Sequence, residues 1–345
     1  MDTLRMTNYI IAVVFFVCYT YQFLYIPVPW LLAKRKAAKA AALEATPHNY
    51  AVLICARNES AVIADLIGSL RSQTYDQSLL HIFVLADNCT DDTSDIARSA
   101  GATVYERFNN VQVGKGYALQ TLLGHLEQDY PAGFDGYFVF DADNILDPDY
   151  IAAMNRTFSQ GHDIVTSYRN SKNYGDNWIS AGYALWFLRE SRYLNHARSL
   201  LGTSCAVSGT GFLFSRAVLE ETGPWPFHLL TEDIQFSVHE ILQGRKVAFA
   251  PDAVLYDEQP LPAASPGGSG CAGLRAICRC SVTTAPAFSG APSGAASPAS
   301  ICPWPLCPPS SSPPSVFSST SRWVSSVLWP ETTCWWLLSP WDRCC

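Results

Sequence analysis

From Tyr50 onward the apolar residues fall into two alternating patterns. Short apolar or alternating runs, "YAVLICA" (50–56), "HIFVLA" (81–86), "ATVYER" (102–107) and "GYFVFDAD" (136–143), predict strands. Between them apolar positions recur at helical spacing, predicting helices from about Glu59 to Ser72, from near Asp91, from about Lys115 and from Pro148. "DIVTSYR" (163–169) reads as a further strand and Ile179 to Ser199 as one long helix. "VSGTGFLFS" (207–215), a helix from Glu232 to Leu242 and "KVAFAPDAVLYDE" (246–258) complete the series. Strands alternating with helices predict an α/β domain around a mostly parallel sheet. Ligands of such a sheet sit beyond the carboxyl ends of its strands. Polar residues at those ends are therefore the candidates for chemistry.

Both flanks of this domain, set at residues 48–260, read differently. Met6 to Ala33 carries no charge, and Lys34, Arg35, Lys36 and Lys39 follow it against a single Arg5 before it. That is long enough for a membrane span, and the basic flank predicts a single-pass anchor in the cell membrane with the following domain in the cytoplasm. A cleaved signal peptide would put its positive charge before a shorter apolar core. Residues 1–47 are thus read as anchor and linker. After residue 260 the chain becomes a mixture of Cys, Trp, Ser and Pro. Its last 85 residues hold eight of the twelve Cys and no Lys, His, Asn, Gln, Tyr or Met. No Cys pair there has C-x2-C spacing, so a zinc site is a poor reading. The net charge of −7 gives no basic face for nucleic acid.

The most specific chemistry is in "YFVFDADN", where an apolar strand runs into Asp141 and Asp143. Two oxygen donors at a strand end suit Mg2+ or Mn2+ bound to a diphosphate. Asp and Asn also end strands for purely structural reasons. "CARNES" places Arg57, Asn58 and Glu59 at the same edge, and "LADNCTDDT" places Asp87 there, with Thr90 or Asp91 as a helix N-cap. "VGKGYAL" sets Lys115 at a helix start, where a cation and free N–H groups could meet a phosphate. It lacks the spacing of a P-loop, and no G-x-G-x-x-G follows the first strand, which argues against a dinucleotide-dependent dehydrogenase.

In this order the motifs resemble the family 2 glycosyltransferases of the GT-A fold, over about residues 48–260. "CARNE" (with Ala56, Arg57, Asn58 and Glu59) resembles the first nucleotide-contacting loop, "DNCTDDT" the second acidic loop and "DADN" the D-x-D metal motif. "GTGFLF" resembles the acceptor-side loop and "LLTEDIQFSVHEILQGRKVAF" the T-E-D segment. The resemblance implies inverting transfer of a sugar from a UDP-sugar to a glycan or lipid acceptor. Asp87, Lys115 and Asp141 would contact the nucleotide sugar, and Asp141 and Asp143 the metal. Gly209, Thr210, Gly211 and Glu232 would line the acceptor side, and Asp233 would be the general base. Ala86 stands where many relatives have a second acid. The T-E-D segment and the N-terminal apolar stretch are similar to the branch containing cellulose, hyaluronan and poly-N-acetylglucosamine synthases, which implies processive synthesis in an intact form.

That branch carries a further Q-x-x-R-W motif, which this chain does not contain. Read one phase over, "GSGCAG" (268–273) permits Gln-Arg-x-Arg-Trp, and the Cys-, Trp- and Ser-rich run beyond it becomes apolar. Residues 261–345 are therefore read as translated out of frame. The remaining alternatives are single-sugar transfer to a lipid, and a remnant that only binds a nucleotide sugar.

Overall fold

The computed structural model describes residues 3–33 and 45–259. The aberrant segment 261–345 lies outside the described residues. At the N-terminus the expected single span is divided. Helix α1 (Thr3–Thr20) passes into a 3-10 turn (Tyr21–Tyr25), and helix α2 is described over 27–33. Among the described residues no helix is long and apolar enough to cross a membrane. Pro27, which has no N–H to donate to the preceding turn, stands at the first position of α2, where a helix tolerates it. The outer surface of this segment is nonetheless apolar, with Phe16, Val17, Leu24 and Trp30 exposed.

The rest is a three-layer α/β domain. Its strands are β1 (Tyr50–Ala56), β2 (Leu80–Asp87), β3 (Thr103–Arg107), β4 (Gly136–Asp141), β5 (Ile145–Leu146), β6 (Ile164–Ser171), β7 (Phe212–Ser215) and β8 (Val247–Asp257). They form one sheet in the order β3-β2-β1-β4-β7-β6-β8-β5. Strands β1 to β4 and the β6–β8 pair are parallel, as expected. Strand β7 runs antiparallel to both β4 and β6, and β5 antiparallel to β8.

Strand periodicity of two divides the core between the faces. Tyr50, Val52 and Ile54 of β1 point into one cluster with α3 (Ile63–Arg71), α4 (Thr93–Ser99) and α6 (Tyr150–Phe158). Ala51 and Leu53 point into the other, with α5 (Lys115–Asp129), α9 (Arg216–Thr222) and α10 (Glu232–Leu242). Residues buried on both faces explain why "YAVLICA" is apolar throughout.

Three predicted helices change at their ends. The helix expected from Glu59 starts at Ile63, because the Glu59 N–H is held by Thr93 Oγ1 at 2.9 Å and the Ser60 N–H by Asp91 Oδ2 at 3.2 Å. The helix expected near Asp91 starts at Thr93, with Asp92 at the N-cap position and no side-chain cap bond. Asp91 Oδ1 accepts the Thr93 N–H at 3.2 Å and Thr93 Oγ1 at 2.5 Å, while its Oδ2 takes the Ser60 N–H and so ties the two loops together. The long helix is α7 (Trp178–Leu188), a π-helical turn (Arg189–Asn195) and α8 (His196–Leu201). Asn177 starts it with a capping box to Ser180.

Candidate active site

The carboxyl ends of β1, β2 and β4 lie level with one another. Ala56 pairs with Ala86, and Cys55 with Asp141. The residues predicted at these ends therefore share one edge. Asn58 and Asn88, with φ of 57° and 54°, turn the chain away from that edge. Each uses its side chain to hold a neighbouring loop. Asn58 Oδ1 accepts the Thr90 N–H at 2.8 Å, and Asn88 Oδ1 accepts the Asn109 N–H at 2.8 Å. Arg57 is exposed. Asp87 is buried in an ion pair with Arg107 Nη1 at 2.7 Å, a partner that sequence reasoning missed. Burying one charge requires another beside it.

Lys115 opens α5 and points across the edge. Its ammonium donates to Asp141 Oδ1 at 2.5 Å and to the Gly209 carbonyl at 2.8 Å. Burial opposes its charge, but Asp141 and Glu232 outweigh that and raise its pKa. Here Lys115 is thus an anchor between the acidic turn and the 209–211 loop. Gly116 allows this placement, since a Cβ there would stand 2.0 Å from the Phe227 carbonyl.

The acidic turn is fastened from below. Thr210 Oγ1 accepts the Asp141 N–H at 2.9 Å and donates to Asn144 Oδ1 at 2.5 Å. Asn144, fully buried, donates to Asp257 Oδ1 at 2.8 Å. Asp257 Oδ2 also receives Arg169 Nη2 at 2.5 Å and Gln259 Nε2 at 2.8 Å. Gly211 supports the same loop. Its carbonyl accepts from Ser167 Oγ at 2.7 Å and Tyr150 Oη at 3.0 Å.

Above this network opens a cleft of about 530 Å³, lined by Glu59, Asp141, Asp143, Arg169, Asp257 and Glu258 among others. Burial, then the charges of Asp257 and Asp141, push the Asp143 carboxyl up to about 7. Burial and Asp141 likewise raise Glu59. This is a concentration of negative charge without enough cations. The residues fit a divalent ion with hard oxygen ligands such as Mg2+ or Mn2+. Asp141 and Asp143 would hold it. Among the described residues no group of three His, Cys, Asp or Glu is arranged to hold a metal, so other donors would have to complete its shell.

Beside the 209–211 loop, Glu232 and Asp233 form the first turn of α10. Asp233 Oδ2 lies 3.7 Å from where a Gly209 Cβ would stand, and Arg169 Nη1 lies 3.8 Å from that point. Burial raises the Asp233 pKa, opposed by its bond from the Ile234 N–H and by the charges of Lys115 and Arg169. Burial and the charge of Asp233 raise Glu232 despite Lys115. A raised pKa makes the ionised carboxylate a stronger base.

The structure thus gathers Glu59, Asp141 and Asp143 in the cleft and ties Lys115, Gly209 and Thr210 to them. Asp87 and the Ala56–Asn58 loop sit further along the edge. Arg169, Asn144, Tyr183, Phe187 and the Asp257–Gln259 segment were missed as site residues. "YDEQP", a strand ending in polar residues, carried the same kind of signal as "FDADN" and could have shown the last of these.

The sheet order and the edge of carboxylates over a D-x-D turn define a GT-A-like transferase domain. The model of the family "Glycosyltransferase like family 2" matches residues 47–269, and the chain belongs to that family. It is 23% identical over 226 residues to the probable glycosyltransferase YdaM of Bacillus subtilis, covering 61% of this chain and 50% of that protein. It is also 23% identical over 206 residues to the poly-beta-1,6-N-acetyl-D-glucosamine synthase of Staphylococcus epidermidis, covering 59% of this chain and 48% of that one. The chain therefore matches about half the length of these relatives. Mannosyltransferase PcManGT from Pyrobaculum calidifontis, solved with GDP-Man and Mn2+, has the same fold, with a TM-score of 0.56 at 16% identity over 95% of this chain and 99% of that one.

Proposed function

We propose that this domain transfers a sugar from a UDP-sugar, with inversion, to the hydroxyl of a glycan or lipid acceptor. The observation that carries the reading is the closeness of the acidic turn to Asp233. Asp141 and Asp143 line the cleft, Lys115 joins Asp141 to the Gly209 carbonyl, and Asp233 lies beside Gly209. The Mn2+ bound by the mannosyltransferase of the same fold supports a divalent cofactor, Mg2+ or Mn2+. Such an ion supplies charge neutralisation to a leaving diphosphate. The chain's own residues supply the rest. Ala56 to Glu59 and Asp87 form the nucleotide side, and Lys115 adds a cation there. Asp233 accepts the proton of the acceptor hydroxyl as its oxygen bonds to the anomeric carbon, while the bond from that carbon to the diphosphate oxygen breaks. Attack from the face opposite the leaving group inverts the centre.

The synthase relative supports polysaccharide formation, processive in an intact form. The exposed apolar surface of the N-terminal segment supports attachment to the cell membrane, with the transferase domain in the cytoplasm. The missing Q-x-x-R-W favours a second reading for the chain as it stands, a nucleotide-binding remnant without turnover. Calorimetry of the full chain with UDP tests the shared part. Binding should require Mg2+ or Mn2+, and equal affinity in EDTA would overturn the reading.

A further inference from the structure

The cleft runs across the sheet, and its two ends differ in chemistry. The loops after β1 and β2 border the D-x-D turn on one side. On the other side the sheet continues to β7, β6 and β8. There the wall is aromatic. Tyr183 and Phe187, one turn apart on α7, stack with ring centroids 6.3 Å apart and planes 27° apart. Arg169 lies over the Phe187 ring at 4.2 Å and carries the stack back to β6. Phe187 is buried, whereas Tyr183 keeps 36% of its surface open.

Several features hold this stack in place. The capping box of Asn177 sets the start of α7. The π-helical turn directly after Leu188 brings Ser191 Oγ within 3.2 Å of the Arg169 N–H. A π-turn is a rare departure from helical geometry and is frequent at functional sites. The Arg169 guanidinium is fixed by two bonds to Asp257 and one to the Ser208 carbonyl. Around the rings, Glu258 and Gln259 offer polar groups to the same cleft.

We propose that Tyr183, backed by Phe187 and Arg169, is the platform on which the acceptor's sugar ring lies. An apolar face with convergent polar groups suits a pyranose, whose C–H face packs on an aromatic ring while its hydroxyls hydrogen-bond. The platform stands on the side of the D-x-D turn opposite the nucleotide loops, and Arg169 shares the surroundings of Gly209 with Asp233. A ring bound there lies on the same side as the base. The ligand class is a saccharide, not an acyl chain, because the platform is aromatic and rimmed by a carboxylate and an amide.

This inference rests on the proposed transferase reading, and its test separates the two. The full chain in lipid nanodiscs is titrated with UDP and Mn2+, and then, at saturating UDP and Mn2+, with cellobiose and with N,N′-diacetylchitobiose. Saturation-transfer NMR reports disaccharide binding. At least one disaccharide should bind. Tyr183→Ala and Tyr183→Leu should weaken it about tenfold, and Tyr183→Phe by less than about threefold, with UDP affinity unchanged in all three. UDP binding with no disaccharide binding, or with Tyr183→Leu equal to the parent, overturns the platform alone. The second result would mark an apolar contact of the kind a lipid chain makes. Loss of UDP binding in the parent chain overturns the transferase reading itself.

Discussion

Thr210 and Asn144, 66 residues apart, share a 2.5 Å hydrogen bond beneath the D-x-D turn. Through it the acceptor-side loop and the metal-side turn become one rigid unit, because Thr210 also holds the Asp141 N–H and Asn144 also holds Asp257. Asn144→Ala should leave the buried Asp257 carboxylate and Thr210 hydroxyl short of partners. A stability loss of about 3 kcal/mol is expected. Chemical denaturation measures it, and a loss below about 1 kcal/mol would remove Asn144 from this role.

Metal affinity should depend on pH in a stated direction. Without a cation Asp143 titrates near 7, and a cation must displace its proton. Below that pH, Mn2+ affinity should fall by up to about tenfold per pH unit, and above it the affinity should level off. Asp143→Asn should bind weakly at every pH. Titrations of Mn2+ in the presence of UDP provide the check, and a flat profile in the parent chain would count against Asp143 as a ligand.

Asp233→Asn should abolish transfer and leave UDP affinity nearly intact, since a base acts chiefly in the transition state. The measurement needs a form of the protein that carries Q-x-x-R-W and turns over. Retention of most of the turnover would exclude Asp233 as the base.

Two glycines give opposite expectations. At Gly211, with φ +65°, a Cβ would stand 1.8 Å from Leu255 Cδ2 and 2.7 Å from Ser167 Oγ. Gly211→Ala should destabilise by more than about 2 kcal/mol and loosen the turn above it. At Gly182, inside α7, a Cβ would meet nothing within 4 Å, and Gly182→Ala should stabilise by about 0.5–1 kcal/mol. Melting curves of the two variants test both.

The gene around codon 260 should show one base lost or two gained relative to a parent sequence. Restoring that phase should produce Q-x-x-R-W at 268–273 and an apolar C-terminal stretch. Early stop codons in the restored phase would end the idea.

The sequence by itself determined the α/β class, because alternation of strand and helix periodicity is local and each pattern reports its own burial. It also marked which acids would reach the edge where ligands sit. Asp87 and Asp141 end apolar strands, and parallel strands bring such ends to one edge. Tertiary structure decided what these acids touch. Arg107 reaches Asp87 only because β3 pairs with β2, and Asn144 reaches Asp257 and Thr210 only because β8 and the loop before β7 converge under the turn. The antiparallel insertion of β7 had no local mark, since a four-residue apolar strand reads the same in either direction. The π-turn was equally hidden: Ile179 to Ser199 is helical in pattern throughout, and the bonds from Ser191 to Arg169 that accompany the turn are made across the fold. Nothing in the pattern of that helix singled out Tyr183 and Phe187, and only the packing of α7 against β6 placed them on the wall of a cleft.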